Sequence, residues 1–170
     1  NKGSFFYKKP TFYMKILLIL VGKTTTSQLN ELLSDYENRL KHYAPFQIEI
    51  IPDLRNTKNL SEYEIKEKEG ELILKILQTT DTIILLDDKG KQHTSIELAS
   101  WLERKQNNVP KRLVFIIGGA YGFSEAVYKR SNEKLSLSKM TFSHQLVRVI
   151  FAEQLYRAFT ILNNEPYHHE

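Results

Sequence analysis

Residues 14–23 read MKILLILVGK and residues 112–119 read RLVFIIGG. Each is an unbroken apolar run of strand length that stops at glycine. A strand wet on one face alternates apolar and polar residues. A run that is apolar at every position fits a strand covered on both faces, as in a parallel sheet. Thr82–Leu86 repeats that character, while Phe46–Ile51 sets Phe, Ile and Ile against Gln and Glu. Lys134–Ser138 alternates Leu and Ser as a short strand does. Outward from these runs the spacing turns helical. Gln28–His42 carries Leu29, Leu32, Leu33, Tyr36 and Leu40. Ser61–Leu77, beyond the polar connection Pro52–Ser61, carries Ile65, Leu72, Ile73, Ile76 and Leu77. Ser95–Lys105 carries Ile96, Leu98, Ala99 and Leu102, and Glu125–Arg130 is a short helix. Ser143 is the expected cap of a long helix reaching about Leu162. The order β-α-β-α-β-α-β-α-β-α predicts an α/β fold, with a mainly parallel sheet and helices on both faces.

The 170 residues suit one domain. A chain of this size buries roughly two-thirds of the surface its unfolded form exposes, so no disulfide or metal staple is needed. Cysteine is absent. That excludes a disulfide scaffold, a zinc–thiolate site and a cysteine nucleophile, and it fits a reducing compartment. The net charge is +4, but residues 1–13 hold Lys2, Lys8 and Lys9 and no acid, which leaves +1 for the rest. Such a body does not coat nucleic acid by bulk charge, although a local basic site stays open. The longest aliphatic run, Ile16–Val21, has six residues against the roughly 20 of a spanning helix. The expected location is cytoplasmic and no membrane is expected as a partner. Met14 is read as the natural start. Residues 1–13 are then an N-terminal extension or cloning remnant, the alternative being an aromatic arm that docks on the domain or on RNA.

Ligands of open parallel sheets sit beyond the carboxyl ends of the strands. Gly22-Lys23-Thr24 has the look of a phosphate loop, yet that motif needs glycine at position 17, which is leucine. Gly118-Gly119-Ala120-Tyr121-Gly122 fails the dinucleotide fingerprint, because it follows the fourth strand and its third position is alanine. Seven glycines occur in the chain and three fall between 118 and 122. A tight strand-to-helix turn explains them, as does close backbone approach to a ligand. The second reading gains from Leu137–Phe142, another loop past a strand end. With Leu86-Asp87, these loops are fitted to enclose a flat heterocycle and bond its edge with main chain. No carboxylate pair, Ser-His-Asp set or metal-ligand spacing stands out, and no metal is expected.

The last helix is apolar on more than one side. Val147, Phe151, Leu155, Ala158 and Leu162 form one stripe, with Leu146, Ile150 and Ile161 roughly opposite. One side can cover the sheet while the other meets a second subunit, or both are buried in a monomer. The ending Pro166-Tyr167-His168-His169-Glu170 reads as a mobile tail or cloning residue. With Arg157 nearby, it also suits stacking on a base and binding of phosphate.

MKILLILVGK (14–23), LDDKGKQHTS (86–95), FIIGGAYGFS (115–124), LSLSKMTFSHQLVRVIFAEQLYRAF (135–159) and the PYH ending (166–168) resemble the RlmH-type ribosomal RNA large subunit methyltransferases of the SPOUT superfamily. The resemblance spans Met14–Glu170 and is most specific over Leu135–Phe159. It implies a single SPOUT α/β-knot domain over 14–170, with a C-terminal trefoil knot, a rare departure from ordinary connectivity. It implies S-adenosyl-L-methionine as cofactor, held by Leu86, Gly118, Leu137, Ser138, Lys139, Met140, Thr141 and Phe142. A homodimer would methylate N3 of a pseudouridine in 23S rRNA on the assembled ribosome. His144, Arg157, Tyr167 and His168 are the expected catalytic residues, and Arg148 and His169 the expected RNA contacts. Arg148 follows His144 by one helical turn, so both are expected on one face. His144 or His168 would take the N3 proton, or Arg148 or Arg157 would steady the anionic base. Family members commonly carry Arg or Lys where this chain has His169, which weakens a fixed phosphate contact there. The alternatives are a SPOUT methyltransferase for tRNA or another rRNA base, and a ribosome-binding module of the same fold without catalysis.

Overall fold

The computed structural model describes residues 14–108 and 111–169. The extension expected over residues 1–13 lies outside them. In chain order the elements are β1 (Lys15–Val21), α1 (Ser27–Leu40), β2 (Phe46–Ile51), a short 3-10 turn (Thr57–Asn59), α2 (Glu62–Ile76), β3 (Thr82–Gln92), α3 (Ser95–Asn108), β4 (Arg112–Ile117), α4 (Glu125–Arg130), β5 (Glu133–Ser136) and α5 (Leu146–Leu162). The strands form one sheet in the order β2-β1-β4-β3-β5. Every pairing in it is parallel.

The continuous apolar runs have the cause assigned to them, because successive side chains enter different layers. Ile16, Leu18 and Leu20 of β1 join Phe115 of β4 beneath α1, α3 and α5. Leu17, Ile19 and Val21 join Val114 and Ile116 beneath Ile73 of α2 and Val127 of α4. The sheet is therefore the middle of three layers. Two helices start with reciprocal caps, Ser61 with Glu64 and Thr94 with Glu97. At the amino ends of β3 and β4, the Arg112 guanidinium forks onto both carboxylate oxygens of Asp81, at 2.8 and 2.7 Å.

Two expectations need adjustment. β3 does not stop at Leu86 but continues to Gln92, and Leu135 of β5 is register partner to both Leu86 and Lys91. Residues 87–90 loop out between those two pairings. Gly90 permits it: a Cβ there would fall 2.6 Å from the backbone nitrogen and carbonyl carbon of Leu135. Next, α5 begins at Leu146, although the Ser143 hydroxyl still accepts the Leu146 N–H at 3.1 Å and so caps the turn that leads into the helix. One face of α5 is partnered inside the chain. Phe151, Ala152, Leu155, Ala158 and Phe159 share one core with Leu33 and Leu40 of α1 and Leu98 and Leu102 of α3. Of the stripe proposed for a second subunit, Leu146 is exposed while Ile150 and Ile161 are half-buried.

Candidate active site

The loop-out of β3 after Leu86 and the carboxyl ends of β4 and β5 open into one cleft of about 360 Å³. That is inside the range of small-molecule sites, about 300–1,000 Å³. Leu86 closes its floor from β3, and Ile117 and Gly118 do so from β4. The segment after β5 supplies Leu137, Ser138, Met140, Thr141 and Phe142, and His144 stands at the entrance to α5. Three chain crossings distant in sequence thus meet at one place. β4 and β5 bring theirs by ending there, and β3 by looping out after Leu86.

Local hydrogen bonds fix the walls. The Ser136 hydroxyl donates to the carbonyl of Ser138 at 2.9 Å, and the Ser138 hydroxyl accepts the Met140 N–H at 2.9 Å. This turn holds Met140 at the rim with 78% of its surface in water. On the β4 side Gly122 has φ +82° and donates its N–H to the Gly119 carbonyl at 3.2 Å. Only glycine takes that backbone conformation without strain. A Cβ on Gly118 would lie 3.1 Å from the Phe123 ring, so that position too is close-packed.

Asp87 and Tyr128 make up a charged wall. The Tyr128 hydroxyl donates to Asp87 Oδ2 at 2.5 Å and the Lys89 N–H donates to Oδ1 at 2.8 Å. Burial pushes the Asp87 carboxyl up, but these hydrogen bonds outweigh it and hold the group below the usual carboxylate range. Burial, followed by the hydrogen bond to Asp87, pushes the Tyr128 phenol well above its ordinary value. Behind the glycine turn, the Glu69 carboxylate lies where a Cβ on Gly119 would be, 2.9 Å from it. Burial and then Asp53 raise the Glu69 carboxyl. Asp87 could have been suspected from its place after a strand. Glu69, one acid among many in a charged helix, carried no such signal.

The sequence-predicted residues fall into separate groups. Leu86, Gly118, Leu137, Ser138, Met140, Thr141 and Phe142 line the cleft together with His144, and Lys139 alone of the expected cofactor set turns outward. Arg157, Tyr167 and His168 form a second cluster toward the other end of α5. At about 1.5 Å per residue, roughly 16 Å of helix separates Leu146 from Arg157. The Arg157 guanidinium donates to Glu153 Oε1 through Nε at 3.0 Å and Nη2 at 2.5 Å. It also lies 4.7 Å from the centre of the Tyr167 ring, and its Nη1 is 3.2 Å from His168 Nδ1. His168 Nε2 is buried with no partner among the described residues. His169 is exposed.

The tail is docked on the helices. Asn164, at φ +54°, ends α5 in a left-handed turn in which the Glu165 N–H donates to the Thr160 carbonyl and the Asn164 N–H to that of Ile161. The Tyr43 hydroxyl bonds the Glu165 carboxylate at 2.7–2.8 Å. Tyr167 then reaches Glu153 and Tyr36.

Arg148 is a correction. Expected to meet RNA beside His144, it is wholly buried, whereas His144 is exposed. Its guanidinium donates to the carbonyls of Val21 at 2.6 Å and Gly22 at 2.9 Å and to the Thr24 hydroxyl at 3.0 Å. The side chain turns into the core because the peptide carbonyls at the end of β1 have no other partner there. Burial lowers its pKa, with Asp53 opposing. The shared face with His144 fails because the helix starts only at Leu146.

Among the described residues, no group of three or more acids and histidines is set to hold a metal ion, and no helix is long and apolar enough to cross a membrane. Residues 14–168 match the family model described as "Predicted SPOUT methyltransferase". A protein of Parabacteroides distasonis named ribosomal RNA large subunit methyltransferase H is 64% identical over 157 residues, covering 92% of this chain and 100% of that one. Proteins of the same name from Phocaeicola vulgatus and Christiangramia forsetii are 58% and 57% identical, over 92% of this chain and 100% and 99% of theirs. A match that runs unbroken from the first strand to the docked tail, with relatives this similar along their full length, makes the assignment plain: the chain belongs to the SPOUT methyltransferase family.

Proposed function

We propose that this chain transfers a methyl group from S-adenosyl-L-methionine to N3 of a pseudouridine in 23S rRNA on the assembled ribosome. The relatives' shared name supports ribosomal RNA as substrate. The observation that carries the reading is the convergence of Leu86, Gly118, Leu137, Ser138, Met140, Thr141 and Phe142 on one cleft. Apolar side chains and free main-chain groups there fit a purine and its edge. Asp87 adds a fixed negative charge on the wall, compatible with a cationic ligand. When bound, the cofactor supplies an activated methyl group on a sulfonium. The chain's own residues have to hold the base in line and let N3 lose a proton, which is chiefly a matter of orientation. His144 at the cleft and His168 at the tail are the candidate acceptors. Arg157 is the cation available to steady an anionic base, since Arg148 is committed to the core. His169 is left as an exposed RNA contact.

The working form in this reading is a cytoplasmic homodimer, without metal. His144 and the Arg157–Tyr167–His168 cluster stand at different ends of α5, so one base cannot meet both within one chain. A second copy supplies the missing tail at each cleft. Residues 14–170 act as one domain, with residues 1–13 an extension, as a family match confined to 14–168 supports. The C-terminal chain is read as a trefoil knot. The double pairing of Leu135, and the press of Gly90 on its backbone, are compatible with such a crossing.

The test is transfer of labelled methyl to 70S ribosomes, to isolated subunits and to ribosomes lacking pseudouridine, with calorimetry of S-adenosylmethionine binding. Transfer to 70S particles that depends on pseudouridine is the expected outcome. Absence of both transfer and binding heat refutes the reading.

A further inference from the structure

A second concavity, a groove of about 550 Å³, lies between α3 and the β5 edge of the sheet. It is lined by Lys91, His93, Trp101, Arg104, Lys105 and Glu133, with Lys134 beside them. Trp101 is buried and forms the floor. Its ring has the Lys105 ammonium 5.4 Å from its centre and the His93 ring at 6.4 Å.

Charge in this groove is out of balance. Its one carboxylate, Glu133, is engaged by Lys105 at 2.5 Å. Lys91 and Arg104 have no ion-pair partner among the described residues, and both are exposed. They sit on different elements, one on the returning end of β3 and the other on α3, with the half-buried His93 near both. Burial and Lys91 hold the imidazole below its ordinary value, and Arg104 adds to this against Glu97 and Glu133. Cations facing one another across a concave, partly desolvated site repel, and an anion placed between them removes that repulsion.

Position narrows the identity of the anion. Leu135 lines both this groove and the cleft, so β5 is their common wall. β5 is also the last strand of the sheet. A strand of RNA with one base in the cleft can cross that edge and lay its backbone in the groove. The guanidinium of Arg104 is shaped for a phosphate, and Lys91 adds a point charge. A body this close to neutral needs such local contacts, because phosphate contacts set position while the base is read elsewhere.

We propose that the groove between α3 and β5 binds a backbone phosphate of the RNA substrate, through Lys91 and Arg104, as a positioning site apart from the cleft. The proposal rests on the rRNA reading above. The experiment compares the wild-type chain with K91Q/R104Q and K91E/R104E, using pelleting with 70S ribosomes over a range of KCl concentrations. Melting temperature and S-adenosylmethionine calorimetry accompany it, and both should match wild type. Ribosome affinity should fall about tenfold or more in K91Q/R104Q, and further in K91E/R104E. The slope of log affinity on log salt should lessen by about 1 for each phosphate that the variant no longer neutralises. In methyl transfer the KM for ribosomes should rise with kcat kept. Affinity and salt slope equal to wild type in both variants overturn the groove alone. A wild-type chain with no salt-dependent ribosome binding overturns the groove together with the reading beneath it.

Discussion

Arg148 and Arg157 share one helix and have unlike tasks, set by what surrounds them. Arg148 is sealed under the end of β1 with carbonyl oxygens for company. Arg157 is half-buried between Glu153, Tyr167 and His168. Replacing Arg148 with leucine leaves buried carbonyls unpaired, so Arg148→Leu should cost about 3 kcal/mol in denaturant unfolding. Arg148→Lys should recover only part of that, because an ammonium cannot fork onto two carbonyls as a guanidinium does. An unchanged stability in Arg148→Leu, joined to weaker RNA binding, would return this residue to the surface role first expected of it. Nine residues at about 100° each place the two arginines on opposite faces of α5, and Arg148 shares the core face of Phe151, Ala152 and Leu155, a signal that pairing it with His144 passed over.

Among the elements, the loop-out between Leu86 and Lys91 presses backbone directly on backbone. Gly90→Ala would drive a methyl group into the Leu135 peptide, and backbone has no rotamer with which to yield. A loss of about 3 kcal/mol, or failure to accumulate folded protein, is expected. Gly122→Ala offers the contrast. Nothing lies within 4 Å of its added Cβ. Its cost of about 1 kcal/mol should come from the positive φ alone. Thermal melting of the two variants side by side checks the ordering. Most elements were legible because a parallel strand covered on both faces writes an apolar run. β1 and β4 are the clear cases. The extension of β3 was hidden because Asp87-Asp88-Lys89-Gly90 reads as a polar turn. The two-sided apolarity of α5 was legible as a pattern: α1 and α3 cover one face, while Leu146 stays exposed and Ile150 and Ile161 half-buried on the other. The cleft was readable from the segments after Leu86, Ile117 and Ser136, two of them strand ends and the first a loop-out within β3. The Asp87–Tyr128 wall was not, because its partners are far apart in sequence and only the fold joins them.

For the whole molecule, the distance between His144 and the tail cluster makes a prediction about mixed subunits. Thr141→Trp should fill the cleft, and deletion of residues 167–170 should remove the tail. Each alone should abolish methyl transfer, while the tail deletion should keep its binding heat for S-adenosylmethionine. Refolded together in equal amounts they should regain about a quarter of wild-type activity, since half of randomly paired dimers are mixed and each mixed dimer holds one complete site. No recovery would mean that each chain works alone. The strand order β2-β1-β4-β3-β5 bears also on how the protein comes into being. As synthesis proceeds from the amino end, β1 and β2 can join at once. β3 has no neighbour until β4 is made and inserts between it and β1. For that interval the nascent chain carries a sticky apolar ribbon with open edges, a hazard for clumping in a crowded cell. A slow, late-closing assembly, leaning on whatever shields young chains at the exit of the tunnel, is the cost of a sheet whose middle is written after its sides.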